Sequence, residues 1–232
     1  MPDWLTTVSH VSLLVAGLCA AWIALDCRRR PQPMSIMAAV WPLSALFGSV
    51  IVLWFYLRHG RAGAGRGRAH GAPPFPVAVA KGALHCGSGC TLGDIIAEAL
   101  ALIAPGVLVP LGWPGVWPEP MFAVWVLDFL FAFAIGIVFQ YFAIAPMRGL
   151  GVIDGLKAAL KADTLSLIAW QVGMYGAMAI AVFAIFRPMY GASPDATSAV
   201  FWFVMQWAMI AGFLTAYPMN WWLIRIGIKE RM

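Results

Sequence analysis

Six apolar stretches, each about twenty residues long, leave this chain little choice of fold. They cover residues 8–26, 36–57, 83–105, 121–145, 165–186 and 199–224. A helix of roughly 20 apolar residues crosses the hydrocarbon core of a bilayer. The expectation is therefore an all-α fold: a polytopic transmembrane helical bundle of about six spans plus a short interfacial helix. With 62% hydrophobic and 11% charged residues, the chain also lacks the polar surface of a soluble globule, where about a quarter of residues carry charge.

The first positive charges, Arg28 to Arg30, follow the first apolar run. A cleavable signal peptide would carry them in front, so the run reads as a retained span. The net charge of +5 sits in connecting segments, with no aromatic-interleaved basic motif, so no nucleic-acid partner is expected. The lipid bilayer is the expected partner.

The chain divides into an N-terminal two-span extension (1–57), a flexible basic Gly/Pro-rich loop (58–80) and a four-span membrane domain (81–232). His59 and His70 fall in that loop and are expected to be solvated. Residues 106–120 combine prolines and glycines with Trp113 and Trp117, which suits a turn at the membrane interface. Residues 149–163 are amphipathic, with Leu156 and Leu160 on one face, and predict the interfacial helix that leads into the fifth span.

With both termini cytoplasmic, eleven of the 15 Lys and Arg residues lie inside and four (Arg28, Arg29, Arg30, Arg187) outside. The positive-inside rule favours this arrangement over its inverse. It implies a multi-pass membrane protein with its basic connections on the cytoplasmic side. Arg28 to Arg30 are the exception: if they are cytoplasmic, one early segment does not span.

The groups fit for chemistry concentrate at the start of the third run. Cys86, Cys90 and Asp94 follow at i, i+4 and i+8, a drifting stripe along one helix, and His85 adjoins Cys86. Thiolate and imidazole suit Cu(I) or Zn(II). A disulfide is less natural, because Cβ atoms four apart on a helix are ~5–6 Å apart and a disulfide prefers ~3.8 Å. Met174 with Met178, and Met205 with Met209, each put two thioethers on one helical face, again soft ligands for Cu(I). The bland alternative is packing, since Gly, Ser, Cys and Met all fill helix interfaces.

Other polar groups recur in the spans: Glu98, Asp128, Gln140, Gln171, Gln206 and Asn220. The amides can bond across helices, while a carboxylate deep in a span marks an ion or proton path. Lys161 and Asp163 lie at the start of the fifth span, as anchors or as charge partners. Cys19 reads as a small hydrophobe and Cys27 as structural.

These blocks resemble a known family. His85-Cys86 through Cys90 to Asp94, Phe139-Gln140-Tyr141-Phe142 through Arg148, Lys161 to Ser166, Trp170-Gln171 through Gly176, Gly212-Phe213, Tyr217 through Trp222 and Lys229-Glu230 are similar to a bacterial integral-membrane family catalogued as domain of unknown function 4396. The likeness covers about residues 80–232. The family has no established activity. The association of some members with multicopper-oxidase-like domains implies a copper ion and copper-handling oxidase-type partners.

Three functions follow as expectations. One is binding or transport of a soft metal ion such as Cu(I) by His85, Cys86, Cys90 and Asp94, with Met174, Met178, Met205 and Met209 along the route. The second is a membrane thiol oxidoreductase using Cys86 and Cys90 with a quinone. The third is a proton or ion channel or transporter built on Asp94, Glu98 and Asp128. No P-loop occurs to support ATP-driven transport.

Overall fold

The computed structural model describes residues 1–63 and 73–231, and no strand occurs among them. Six helical segments are long and apolar enough to cross a membrane, as the apolar runs require of a multi-pass membrane protein. Helix α1 spans Asp3–Arg29, α2 Met37–Phe55, α3 Phe75–Ile103 and α4 Pro120–Arg148. Helix α5 (Val152–Ala179) runs through a π-helical stretch, Ile180–Phe186, into the short α6 (Arg187–Tyr190). Helix α7 covers Ala199–Arg225. The small-residue helix α3 lies centrally and packs against α2, α4, α5 and α7.

The second segment does not run straight through. Ser49 has φ 46° and ψ −129°, a non-helical conformation inside α2. The Trp41 ring lies 5.9 Å from Phe55 and 5.4 Å from Tyr56, and Gly60 abuts the same indole. In a straight helix rising 1.5 Å per residue, Trp41 and Tyr56 would stand about 22 Å apart. The chain therefore reverses at Gly48–Ser49, and α2 with its π-turn Tyr56–Gly60 is a re-entrant hairpin of two short arms. Irregular backbone at membrane depth persists only where protein encloses it or a cavity lies beside it. Here Gln206 on α7 donates Nε2–H to the Leu46 carbonyl at 2.7 Å, and Ser12 donates to Gln206 Oε1 at 2.7 Å. Gln206 is thus first a cap for the hairpin tip.

That reversal corrects the expected topology of the ends. Leu5 packs with Ala181, Phe186 and Val200 at one end of the bundle. Lys229 bonds Asp163 and Glu230 bonds Arg148 at the other. The chain's two ends thus lie at opposite ends of the bundle, with five crossings (α1, α3, α4, α5, α7). Placing both termini on one side does not hold. At the base of the hairpin Arg61 grips Asp26 with two hydrogen bonds, at 2.9 and 2.8 Å, and Tyr56 donates to the same carboxylate at 2.8 Å. Arg28 to Arg30 therefore share an end with Arg58 and Arg61, and the charge exception disappears. Every described Lys and Arg except Arg187 belongs to this basic end.

Three smaller expectations change. Residues 152–163 continue into α5 without a break, so no separate interfacial helix forms; Gly149, at φ 61°, ends α4 and lets the chain turn. Helix α3 begins at Phe75, capped by Pro74, and the hairpin extends to Gly60, so the 58–80 loop is helical at both margins. His59 packs on Phe55 with ring centroids 5.1 Å apart; His70 lies outside the described residues.

Candidate functional site

Glycine brings α3 and α4 together at backbone distance. A Cβ on Gly89 would lie 3.0 Å from the Gly136 Cα, and one on Gly93 would lie 2.5 Å from the Ala132 nitrogen. These two contacts fix an antiparallel register. It puts Gln140 level with His85, and Asp128 level with Ala97, between Asp94 and Glu98. Trp170 of α5 wedges between Gly87 of α3 and Gly212 of α7, so any side chain at either glycine would displace the indole.

Small residues and glycine thereby align buried polar groups along α3. At the basic end the Lys229 ammonium donates to Asp163 at 2.9 Å and Ser166 at 3.2 Å, with both charged side chains 0% exposed. Asp163 Oδ2 points at Gly136, and Asn220 Oδ1 at Gly82. His85 is fully buried and interacts electrostatically with Asp163 and Lys229. Cys90 lies close enough to Cys86 and Asp94 to interact with them electrostatically. Farther on, Asp128 is near enough to Asp94 and Glu98 to interact with them electrostatically, as is Tyr175, whose hydroxyl donates to the Trp125 carbonyl at 2.8 Å, with all three acids.

Most of these groups lack hydrogen bonds. Both ring nitrogens of His85, both oxygens of Asp94 and Asp128, and the amides of Gln140 and Gln171 are buried without a hydrogen-bond partner, as are Asp163 Oδ2, the Trp170 indole nitrogen and Asn220 Oδ1. Buried polar atoms are ordinarily satisfied, and leaving one unpaired costs about 1–3 kcal/mol. A single unpaired group would be a local defect. A file of them from Asp163 to Asp128 is an organised polar column.

The structure assembles some of the expected residues and separates others. Cys86, Cys90, Met174, Met178, Met205 and Met209 share one buried cluster. Among the described residues, no three of His, Cys, Asp and Glu are placed to hold a metal ion. The reason is helical rise: Asp94 stands about 12 Å along the axis from Cys86. Both thiols are free and fully buried, closed to an exchanging partner. Lys161 is exposed and outside the column. The chemistry of the residue types does not single out Lys229, Ser166, Trp170 or Tyr175; all four fall in the blocks that carry the family resemblance.

At the opposite end Arg187 pairs with Glu119 through two hydrogen bonds, at 3.0 and 2.6 Å. These bonds hold the Glu119 carboxyl below its usual range.

No curated protein and no solved structure matches the chain. A family model matches residues 77–229, the part that holds the whole column. The chain belongs to the family described as Domain of unknown function (DUF4396).

Proposed function

We propose that the protein moves protons across the membrane, alone or coupled to a second solute, along the column beside α3. One observation carries the reading: Asp94, Asp128 and His85 are titratable, buried and free of hydrogen-bond partners at successive levels along α3. Ionisable residues in a membrane interior characteristically mark such relays. Close α3–α4 contact leaves no wide pore, and a hard metal cation wants six or more oxygen ligands, which isolated carboxylates do not offer. A proton needs only a file of groups that take and release it. The positive-inside rule supports an orientation with the basic end cytoplasmic, in the reading of a bacterial inner-membrane protein.

The test is proton flux into liposomes holding the purified protein, read by an internal pH dye under a potassium diffusion potential. Asp128→Asn and Asp94→Asn should each cut the flux at least tenfold. Flux no greater than in empty liposomes, or flux unchanged in both variants, ends the proposal.

A soft metal ion such as Cu(I), with copper-handling oxidase-type partners, is the second reading. It is favoured by the burial of Cys86, Cys90, Met174, Met178, Met205 and Met209 in the same hydrophobic core. Copper retained by the purified protein and lost in a Cys86→Ser/Cys90→Ser variant would support it; no copper in either would remove it.

A further inference from the structure

Asp94 also borders a cavity of about 190 Å³ between α1, the hairpin tip, α3 and α7. Its walls include Leu13, Ala16, Phe47 and Trp202, with the thioethers of Met205 and Met209. The polar side chains on the wall are Thr91, Gln206 and Asp94. Thr91 donates to the Gly87 carbonyl at 2.8 Å, and Gln206 is held by Ser12 and Leu46. Asp94 is different. It is 1% exposed and neither oxygen has a hydrogen-bond partner.

We propose that this cavity binds a small organic ammonium ion carrying one aromatic or aliphatic group. Charge complementarity names the charged end: an ammonium supplies the donors that the Asp94 carboxylate lacks, and charge-assisted bonds of this kind are the strong ones. The Trp202 indole gives the cation a second attraction. The apolar remainder excludes a hydrated metal ion, for which the wall has too few oxygens. Size sets the rest. A cavity of about 150 Å³ takes up benzene, so this one fits a single ring with a short aminoalkyl chain.

Two of the four walls, Leu13 and Ala16 of α1 and Leu46 and Phe47 of the hairpin, lie outside residues 77–229. The N-terminal part therefore shapes which ammonium ion fits, while the family core supplies the charge. Binding to Asp94 and proton movement are separable: the assay below measures no flux, so either proposal can fail alone.

The experiment titrates detergent-solubilised full-length protein with 2-phenylethylammonium and, separately, with its neutral counterpart 2-phenylethanol, by calorimetry. The ammonium should bind saturably and the alcohol about ten- to hundredfold more weakly. Asp94→Asn, which keeps the shape, should weaken ammonium binding by a similar factor and leave the alcohol unchanged. Ala16→Leu, which fills the cavity without touching the carboxylate, should weaken both. Equal binding of the two ligands, undiminished ammonium binding by Asp94→Asn, or no saturable ammonium binding where Cu(I) binds instead, would each overturn the assignment. The comparison of ligands on the unaltered protein stands even if a variant fails to fold.

Discussion

The molecule buries carboxylates in two contrasting ways. Asp26, in the N-terminal part, accepts two hydrogen bonds from Arg61 and one from Tyr56, with Arg30 3.6 Å away. Asp94 and Asp128, in the family core, accept none. The pattern is general: among the described residues, every buried side-chain nitrogen or oxygen without a partner lies between His85 and Asn220, and none in α1 or the hairpin. One region has spent its polar groups on its own architecture. The other holds them in readiness, at a cost to stability that packing elsewhere must offset, as functional sites commonly do.

The ion pair that crosses this divide in character offers the hardest test. Lys229 and Asp163 belong to the core, yet they are paired and wholly buried. Lys229→Ala strands a buried charge and should cost about 3–5 kcal/mol, read as a fall in thermal unfolding temperature in detergent. Adding Asp163→Leu should recover most of that loss. If Lys229→Ala is harmless, the pair belongs with the unpaired groups and the contrast weakens.

Next in size are matched substitutions with opposite signs. Asp26→Asn removes a partnered charge and should lower stability while leaving flux per folded molecule intact. Asp128→Leu removes a group with no partner, so stability should hold or rise by up to about 2 kcal/mol while flux disappears. Parallel losses of stability in both variants would erase the distinction.

At the hairpin tip, Ser49 occupies a left-handed backbone conformation that glycine adopts more easily. Ser49→Gly should stabilise by about 1 kcal/mol, measured by the same unfolding. The smallest effect concerns Glu119. Its carboxyl is held low by Arg187, so the pair's contribution is present above the ordinary carboxylate range and is lost as pH falls through the lowered value. Both side chains are over a third exposed, which keeps the effect slight. Glu119→Gln should flatten the acid side of the stability profile without altering its neutral plateau.

Apolar run length made the helical membrane fold legible, because the bilayer sets that length. It could not separate a span from a hairpin: two arms folded against each other are as apolar as one helix that crosses. Pro42 and Gly48-Ser49 were weak signs of a break, and the misplaced Arg28 to Arg30 were the stronger one. The stripe from His85 through Asp94 was legible from i, i+4 spacing, and Asp128 from its depth in an apolar run. The alignment of Gln140 with His85 was not, since it depends on which glycines α3 and α4 use to meet. Nor was the Lys229–Asp163 pair, whose members are 66 residues apart. Gln206 was legible as an amide able to bond across helices, but not its partner, the Leu46 carbonyl at the tip of the hairpin it caps.

The reversal at Ser49 bears on how the chain enters the membrane at all. Had the second segment crossed, the insertion machinery would have had to carry Arg28, Arg29 and Arg30 through the bilayer on the turn before it. In the orientation proposed above, a hairpin that goes in and returns keeps these residues on the side where they are made, together with Arg58 and Arg61. The connections left to be exported, 104–119 and 191–198, contain no lysine or arginine. Arg187, the one cation beside them, travels with its acidic mate Glu119 waiting on the far side.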